Sequence, residues 1–168
     1  MTDHPTIRAT TGADAAAIDA LLAVSYPRLL AGDYSADQLA RALPLMTRAK
    51  PELLASGTYF LIEGADGQAI AAGGWSLAAP GTGETETGLA HVRHVACHPD
   101  HLRCGHARRI LDNIIRTSRD AWVTDLDCLS TLTAVPFYAA QGFAVIARVD
   151  VPIGGRVPFP SVQMRRAI

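Results

Sequence analysis

The sequence predicts a single α/β domain spanning residues 1–168, of the mixed α+β kind: one sheet of six to seven strands with helices on both faces. Three observations lead there. A length of 168 residues suits one domain with its own core. Apolar residues make up 49% of the chain and charged ones 18%, a balance that builds a packed interior rather than a disordered chain. Finally, β-rich runs alternate with amphipathic helical runs, most clearly from His91 to Asp120, which reads as strand, polar loop and long helix.

In chain order, Thr6 to Thr10 alternates β-branched residues with others and predicts a first strand. Thr11-Gly-Ala-Asp14 resembles a capping box and opens a helix that places Ile18, Leu21, Leu22 and Ser25 on one face, with Tyr26-Pro27 expected to interrupt it. A turn at Gly32-Asp33-Tyr34 leads to a second capping box, Ser35-Ala-Asp-Gln38, and a helix with Leu39, Leu43 and Met46 as its buried stripe. Thr58 to Glu63 and Ala69 to Ala78 form a hairpin about Ala65-Asp66-Gly67. Within it Gly73-Gly74 marks a bulge, a close approach, or small residues packing under a helix, and Trp75 is expected in the core. Pro80 to Gly88 is a polar, glycine-rich exposed loop.

His91 to Cys97 is the central strand; past Pro99 and Gly105 a helix aligns Ala107, Ile110, Leu111, Ile114, Ile115 and Trp122 on one face. Leu126 to Thr131 is a buried strand, and Ala134 to Gln141 a short helix closed by Gly142. Phe143 to Ile153 and Val157 to Arg165 make a terminal hairpin about Gly154-Gly155, and its prolines at 158 and 160 suggest a sheet edge.

Fifteen basic and sixteen acidic residues leave a formal charge of −1, which supplies no general field for nucleic acid or an anionic membrane. No apolar run approaches the ~20 residues that cross a bilayer, and MTDHPTIRAT lacks a signal-peptide core, so a cytoplasmic protein is expected. Three cysteines, Cys97, Cys104 and Cys128, cannot all pair within one chain, which fits a reducing compartment.

The turn into the central helix is where ligand chemistry concentrates. A helix start leaves its first N–H groups without partners, and Cys104, Gly105, His106 and Ala107 include two residues with little or no side chain, so an anion can approach the backbone. Arg103, Arg108 and Arg109 lie around the same turn and favour a phosphate group there. A second reading is open: Cys97, His98, His101, Cys104 and His106 have a spacing that a Zn2+ ion could use.

The order strand, His-Pro-Asp loop, Arg-Cys-Gly-His-Ala and helix resembles the acetyl-CoA signature of the GNAT superfamily of N-acetyltransferases. That signature, Gln/Arg-x-x-Gly-x-Gly/Ala, falls on Leu102 to Ala107; Gly105 and Ala107 match, while Leu102 stands where the family usually has a polar residue. Ala134-Val-Pro-Phe-Tyr138-Ala-Ala-Gln-Gly142-Phe143 is similar to the family's later helix, with its tyrosine and closing Gly-Phe.

The resemblance implies an acetyl-CoA-dependent enzyme that acetylates a primary amine of a small molecule or peptide by direct attack within a ternary complex. It assigns acetyl-CoA binding to Val95, Ala96, Cys97, Arg103, Cys104, Gly105, His106, Ala107 and Arg108, with the pantetheine arm pairing along Val95 to Cys97 like an added strand and a backbone N–H near Val95 meeting the oxyanion. Tyr138 takes the role of proton donor to the leaving thiolate. His91 lies where some members carry a glutamate base; it is either that base or a histidine facing solvent while the amine sheds its proton to water. The first two helices would line the acceptor groove, where Tyr26 and Tyr34 are either substrate contacts or packing, and the C-terminal strands would form a homodimer interface. The other reading of the same fold is an acyl-CoA sensor without turnover.

Overall fold

The computed structural model describes residues 5–168. Seven strands form one mixed sheet: β1 (Ile7–Ala9), β2 (Tyr59–Glu63), β3 (Ala69–Ser76), β4 (Leu89–Cys97), β5 (Asp125–Thr131), β6 (Ala144–Ile153) and β7 (Val157–Ala167). Their spatial order is β1-β2-β3-β4-β5-β7-β6, antiparallel throughout except for the β4/β5 pair at the centre. Five α-helices accompany them: α1 (Ala15–Leu30), α2 (Ala36–Met46), α3 (Pro51–Leu54), α4 (His106–Asp120) and α5 (Val135–Ala140). The parallel pair requires a crossover, which α4 provides.

One face of the sheet is covered by α4 and α5, around Ile110, Leu111, Ile114, Leu126, Phe143 and Met164. The other carries α1 and α3, around Ile18, Leu21, Leu22, Leu54, Leu61 and Ala96. A third cluster, Leu30, Tyr34, Leu39, Ala42 and Phe159, seats α2 against β7. In it the Tyr34 ring stacks on Phe159 at 4.2 Å; its hydroxyl donates to Pro160 O at 2.7 Å and accepts from Leu132 N–H at 2.8 Å. Tyr34 is therefore a structural brace, which resolves one of the two tyrosine alternatives in favour of packing.

Both capping boxes form. Thr11 and Asp14 close a short 3-10 turn (Gly12–Asp14) ahead of α1, and Ser35 and Gln38 cap α2. Pro27 does not interrupt the first helix: α1 runs through it to Leu30. The proline frees only the carbonyl four residues earlier, that of the exposed Ala23, close to the helix end where the loss is small. Trp122 is likewise not on the α4 stripe. The helix stops at Asp120, Trp122 takes a left-handed φ of +64°, and its side chain is 89% exposed.

Trp75 is buried and its indole N–H donates to Thr117 Oγ1 at 2.9 Å. The prolines at 158 and 160 sit in β7, an interior strand, but on the part beyond Ser161 where β5 no longer pairs. They occupy a local edge, so their missing N–H groups cost no ladder bond. The short α3 carries no cue that the sequence reading registered.

Candidate active site

The centre of the sheet is split. β4 and β5 pair only through Leu89–His91 and Asp125–Asp127, although the strands continue to Cys97 and Thr131. Past His91, β4 keeps its partner β3 and loses β5, while β5 stays bound to β7 along all seven residues. A bulge turns β4 aside: Ala72 opposes Ala96 and Gly74 opposes Arg93, leaving His94 and Val95 across from Gly73 alone. His94 adopts φ +46°, a strained value for a residue with a side chain, and Tyr59 Oη donates to its carbonyl at 3.0 Å. A Cβ on Gly73 would lie 2.8 Å from both Ile110 Cγ2 and Val95 Cγ2, so glycine is what lets α4 and the bulge share that space. Val95 to Cys97 lie on the stretch of β4 that has no β5 partner, and the Cys97 carbonyl accepts from Ser25 Oγ at 2.9 Å.

At one end of the split lies the turn into α4. Gly105 caps the helix at φ +79°, and nothing stands within 4 Å of a Cβ built there. Among the described residues, no hydrogen bond engages the backbone N–H of Cys104, Gly105, His106, Ala107 or Arg108. Arg103, Arg108 and Cys104 are exposed beside this row of donors. Arg109 departs from the expected ring of three cations, because its Nη2 donates to Pro5 O at 2.7 Å. His106 keeps a buried Nδ1 with no partner among the described residues, and burial, then Arg109 and His101, lower its basicity. The cradle suits a diphosphate: open backbone donors, the positive end of a 15-residue helix, and cations at the rim.

The cysteine and histidine spacing around this turn builds packing instead of a ligand set. His98 and His101 meet edge to face at 5.5 Å, His101 and His106 at 6.3 Å, and the Cys97 thiol points at the His98 and His101 carbonyls. Among the described residues, no three His, Cys, Asp or Glu side chains gather as metal ligands.

His91 is the last β4 residue paired with β5, so it stands where the split begins. It is buried, and its Nδ1 lies 3.8 Å from Asp127 Oδ2. Burial alone would raise the Asp127 carboxyl, but His91, Gln163 (3.0 Å) and Arg165 (3.2 Å) together hold it below the usual carboxylate range, so it stays ionised. Asp127 escaped the sequence reading. Its signal was a carboxylate alternating into the interior of the apolar run Leu126–Leu129, a place where an unpaired charge is expensive.

Tyr138, on α5, is buried between Phe137 and Phe143 with ring centroids at 5.1 and 5.3 Å, beside Cys128. Burial raises its pKa well above that of a free phenol, with Cys128, Tyr26 and Tyr59 adding to the shift, so it is protonated at neutral pH. Tyr26 and Tyr59 pack with the cluster on the α1 side of the sheet and Tyr138 with that on the α4 side.

The sheet is mixed and splayed at its central parallel pair, and the turn into α4 carries open backbone donors. The family description Acetyltransferase (GNAT) domain matches residues 55–145. The chain belongs to this family and is an acetyltransferase, with acetyl-CoA as its cosubstrate. No curated protein matches it. Among solved structures, a GCN5-related N-acetyltransferase from Rhodopseudomonas palustris superposes with a TM-score of 0.78 at 20% identity, covering 100% of this chain and 98% of that one. The PaiA N-acetyltransferase of Thermoplasma acidophilum, in complex with coenzyme A, gives 0.71 at 13% identity over 97% and 98%. The ribosomal-protein-S18-alanine N-acetyltransferase of Escherichia coli gives 0.63 at 17% over 97% and 93%. At these identities the likeness is one of fold.

Proposed function

We propose that this acetyltransferase acetylates a primary amine of a small molecule or peptide by direct attack, with donor and acceptor bound together. The observations that support this reading are the open turn at Gly105 and the loss of β4/β5 pairing beyond His91, which leaves Val95 to Cys97 without a partner on that side. Acetyl-CoA supplies an activated thioester. The free N–H groups of residues 104–108, with Arg103 and Arg108, bind its diphosphate, and the open edge of Val95 to Cys97 orients the pantetheine arm.

A backbone N–H near Val95 meets the charge that develops on the acyl oxygen. His91 Nε2 accepts the amine proton, and the ionised Asp127, 3.8 Å from Nδ1, favours the imidazolium that forms. Tyr138 Oη donates a proton to the departing sulfur; its raised pKa keeps that proton in place until it is needed. Direct attack is favoured over an acyl-enzyme because burial pushes Cys97 up to about 11, and the exposed Cys104 thiol donates to the Leu102 carbonyl with no histidine or carboxylate bonded to it among the described residues. A net charge of −1 fits small acceptors in a cytoplasmic setting better than nucleic acid or a membrane surface, and no helix among the described residues is long and apolar enough to cross one. The exposed edge strand β6 is where a second copy would add to the sheet.

The test is thiol release from acetyl-CoA with a panel of amines, alongside CoA titration. Gly105→Glu should weaken CoA binding at least about 100-fold, since it brings a carboxylate and a side chain to a left-handed position inside the cradle. Tyr138→Phe and His91→Gln should each lower kcat by roughly 10²- to 10⁴-fold while CoA still binds. Unchanged turnover in both variants would remove the assigned roles.

A further inference from the structure

The free edge of the sheet is a short window with a symmetry of its own. β6 ends the strand order, none of its residues is fully buried, and Val145 and Ile146 are 58% and 55% exposed. Two features bound the part that can accept another strand. A bulge breaks the register with β7 between Val145 and Ala147, and Pro152 has no N–H to give. Between them Ala147 to Val151 pair regularly with Gln163 to Phe159, and Val149 is the midpoint.

The direction of the backbone groups in this window follows from β7. Asp150 lies opposite Pro160, which has no N–H and whose carbonyl accepts instead from Tyr34 Oη at 2.7 Å. That pair exchanges no ladder bond, so by antiparallel alternation the bonded pairs are Val149/Ser161 and Val151/Phe159. The N–H and C=O groups of Arg148 and Asp150 therefore point away from β7, to the open edge. The two side chains are exposed and, two residues apart, lie on the same face of the sheet. Among the described residues neither makes an ion pair.

We propose that β6 pairs antiparallel with β6 of a second copy about a twofold axis through Val149, with Arg148 of each copy opposite Asp150 of the other. This rests on the edge addition stated above and fixes its register. An axis one residue earlier sets Arg148 against Arg148, and one residue later Asp150 against Asp150, both destabilising. At Val149 the charges cross favourably twice, and the outward N–H and C=O groups of Arg148 and Asp150 bond to those of the other copy. On the opposite face Val149 meets Val149 and Ala147 meets Val151, while the exposed Val145 and Ile146 come beside the second copy's hairpin turn. An unrelated strand has no reason to match charges at mirror-related positions; a second copy does so by symmetry.

Sedimentation of the full chain tests this. The protein should dimerise with a Kd on the order of 10 µM, as a small interface allows. Arg148→Asp makes both positions acidic and Asp150→Arg makes both basic, and each alone should weaken self-association at least about tenfold. Mixed in equal amounts, the two variants should form a heterodimer about as tight as the parent dimer, and the double variant Arg148→Asp/Asp150→Arg should recover the homodimer. Such recovery also shows that the single variants are folded. A chain still monomeric at about 1 mM overturns the proposal together with the edge addition beneath it. A dimer that ignores the single swaps, or single variants that do not pair when mixed, overturns this register while leaving a dimer of another kind.

Discussion

His91 and Asp127 show how a single pairing position gains chemical meaning. Opposite each other at the last parallel rung, both are buried, and their side chains approach to 3.8 Å. Elsewhere a carboxylate serves stability. Asp14 accepts from Arg8 Nη2 and Nη1 at 2.8 and 2.9 Å and from Thr11 N–H at 2.7 Å, while Arg8 reaches on to Glu63. The Arg8 bonds, against the cost of burial and aided by Thr11, bring Asp14 down to about 2. Because the folded-state pKa is depressed, the stabilisation is present above the unfolded pKa of about 3.9 and is lost as pH falls through about 2. Arg8 is substantially exposed, so screening leaves a contribution of about 1 kcal/mol. Asp14→Asn should therefore lose about 1 kcal/mol in urea unfolding at pH 7, with the difference from the parent protein shrinking toward pH 2. A difference that persists unchanged at pH 2 would refute this account.

Among the elements, β3 and α4 depend on each other most. Ile110 and Val95 lie against Gly73, and Thr58 O and Tyr59 Cα against Gly74, so this stretch of β3 has no room for any side chain. Gly73→Ala should destabilise the domain by about 1–3 kcal/mol, as overpacking does, and should also loosen CoA binding because the bulge at His94–Val95 must shift. Gly32→Ala, where nothing lies within 4 Å, is the control and should stay within about 0.5 kcal/mol. Equal stability of the two variants would disprove the packing argument. The pair Gly73-Gly74 was visible in the sequence as a bulge or a close approach, and both hold. Most element boundaries were visible to within a residue or two, because apolar periodicity and caps are local. Pro27 and Trp122 misled: helix continuation past a proline depends on how near the helix end lies, and the place of Trp122 depends on where α4 unwinds.

At the scale of the whole molecule, the sheet is one continuous body whose weakest seam, between β4 and β5, is also its proposed binding site. Filling that seam should stabilise everything attached to it. CoA at about 100 times its Kd should add about 2.7 kcal/mol to the unfolding free energy, and raise Tm by roughly 5–10 °C for a domain of this size. Gly105→Glu should abolish the shift, and a shift that survives in that variant would place CoA elsewhere.

The fold class, the helix caps, the loop at residues 99–105 and the tyrosine of α5 all follow from the sequence alone, because each is written in neighbouring residues through periodicity, capping chemistry or a short motif. Only the tertiary structure decided that Asp127 would stand behind His91 and that Arg109 would turn to Pro5. Those relations join residues 36 and 104 positions apart, and they depend on strand register and on where α4 packs against the sheet, which no local pattern encodes.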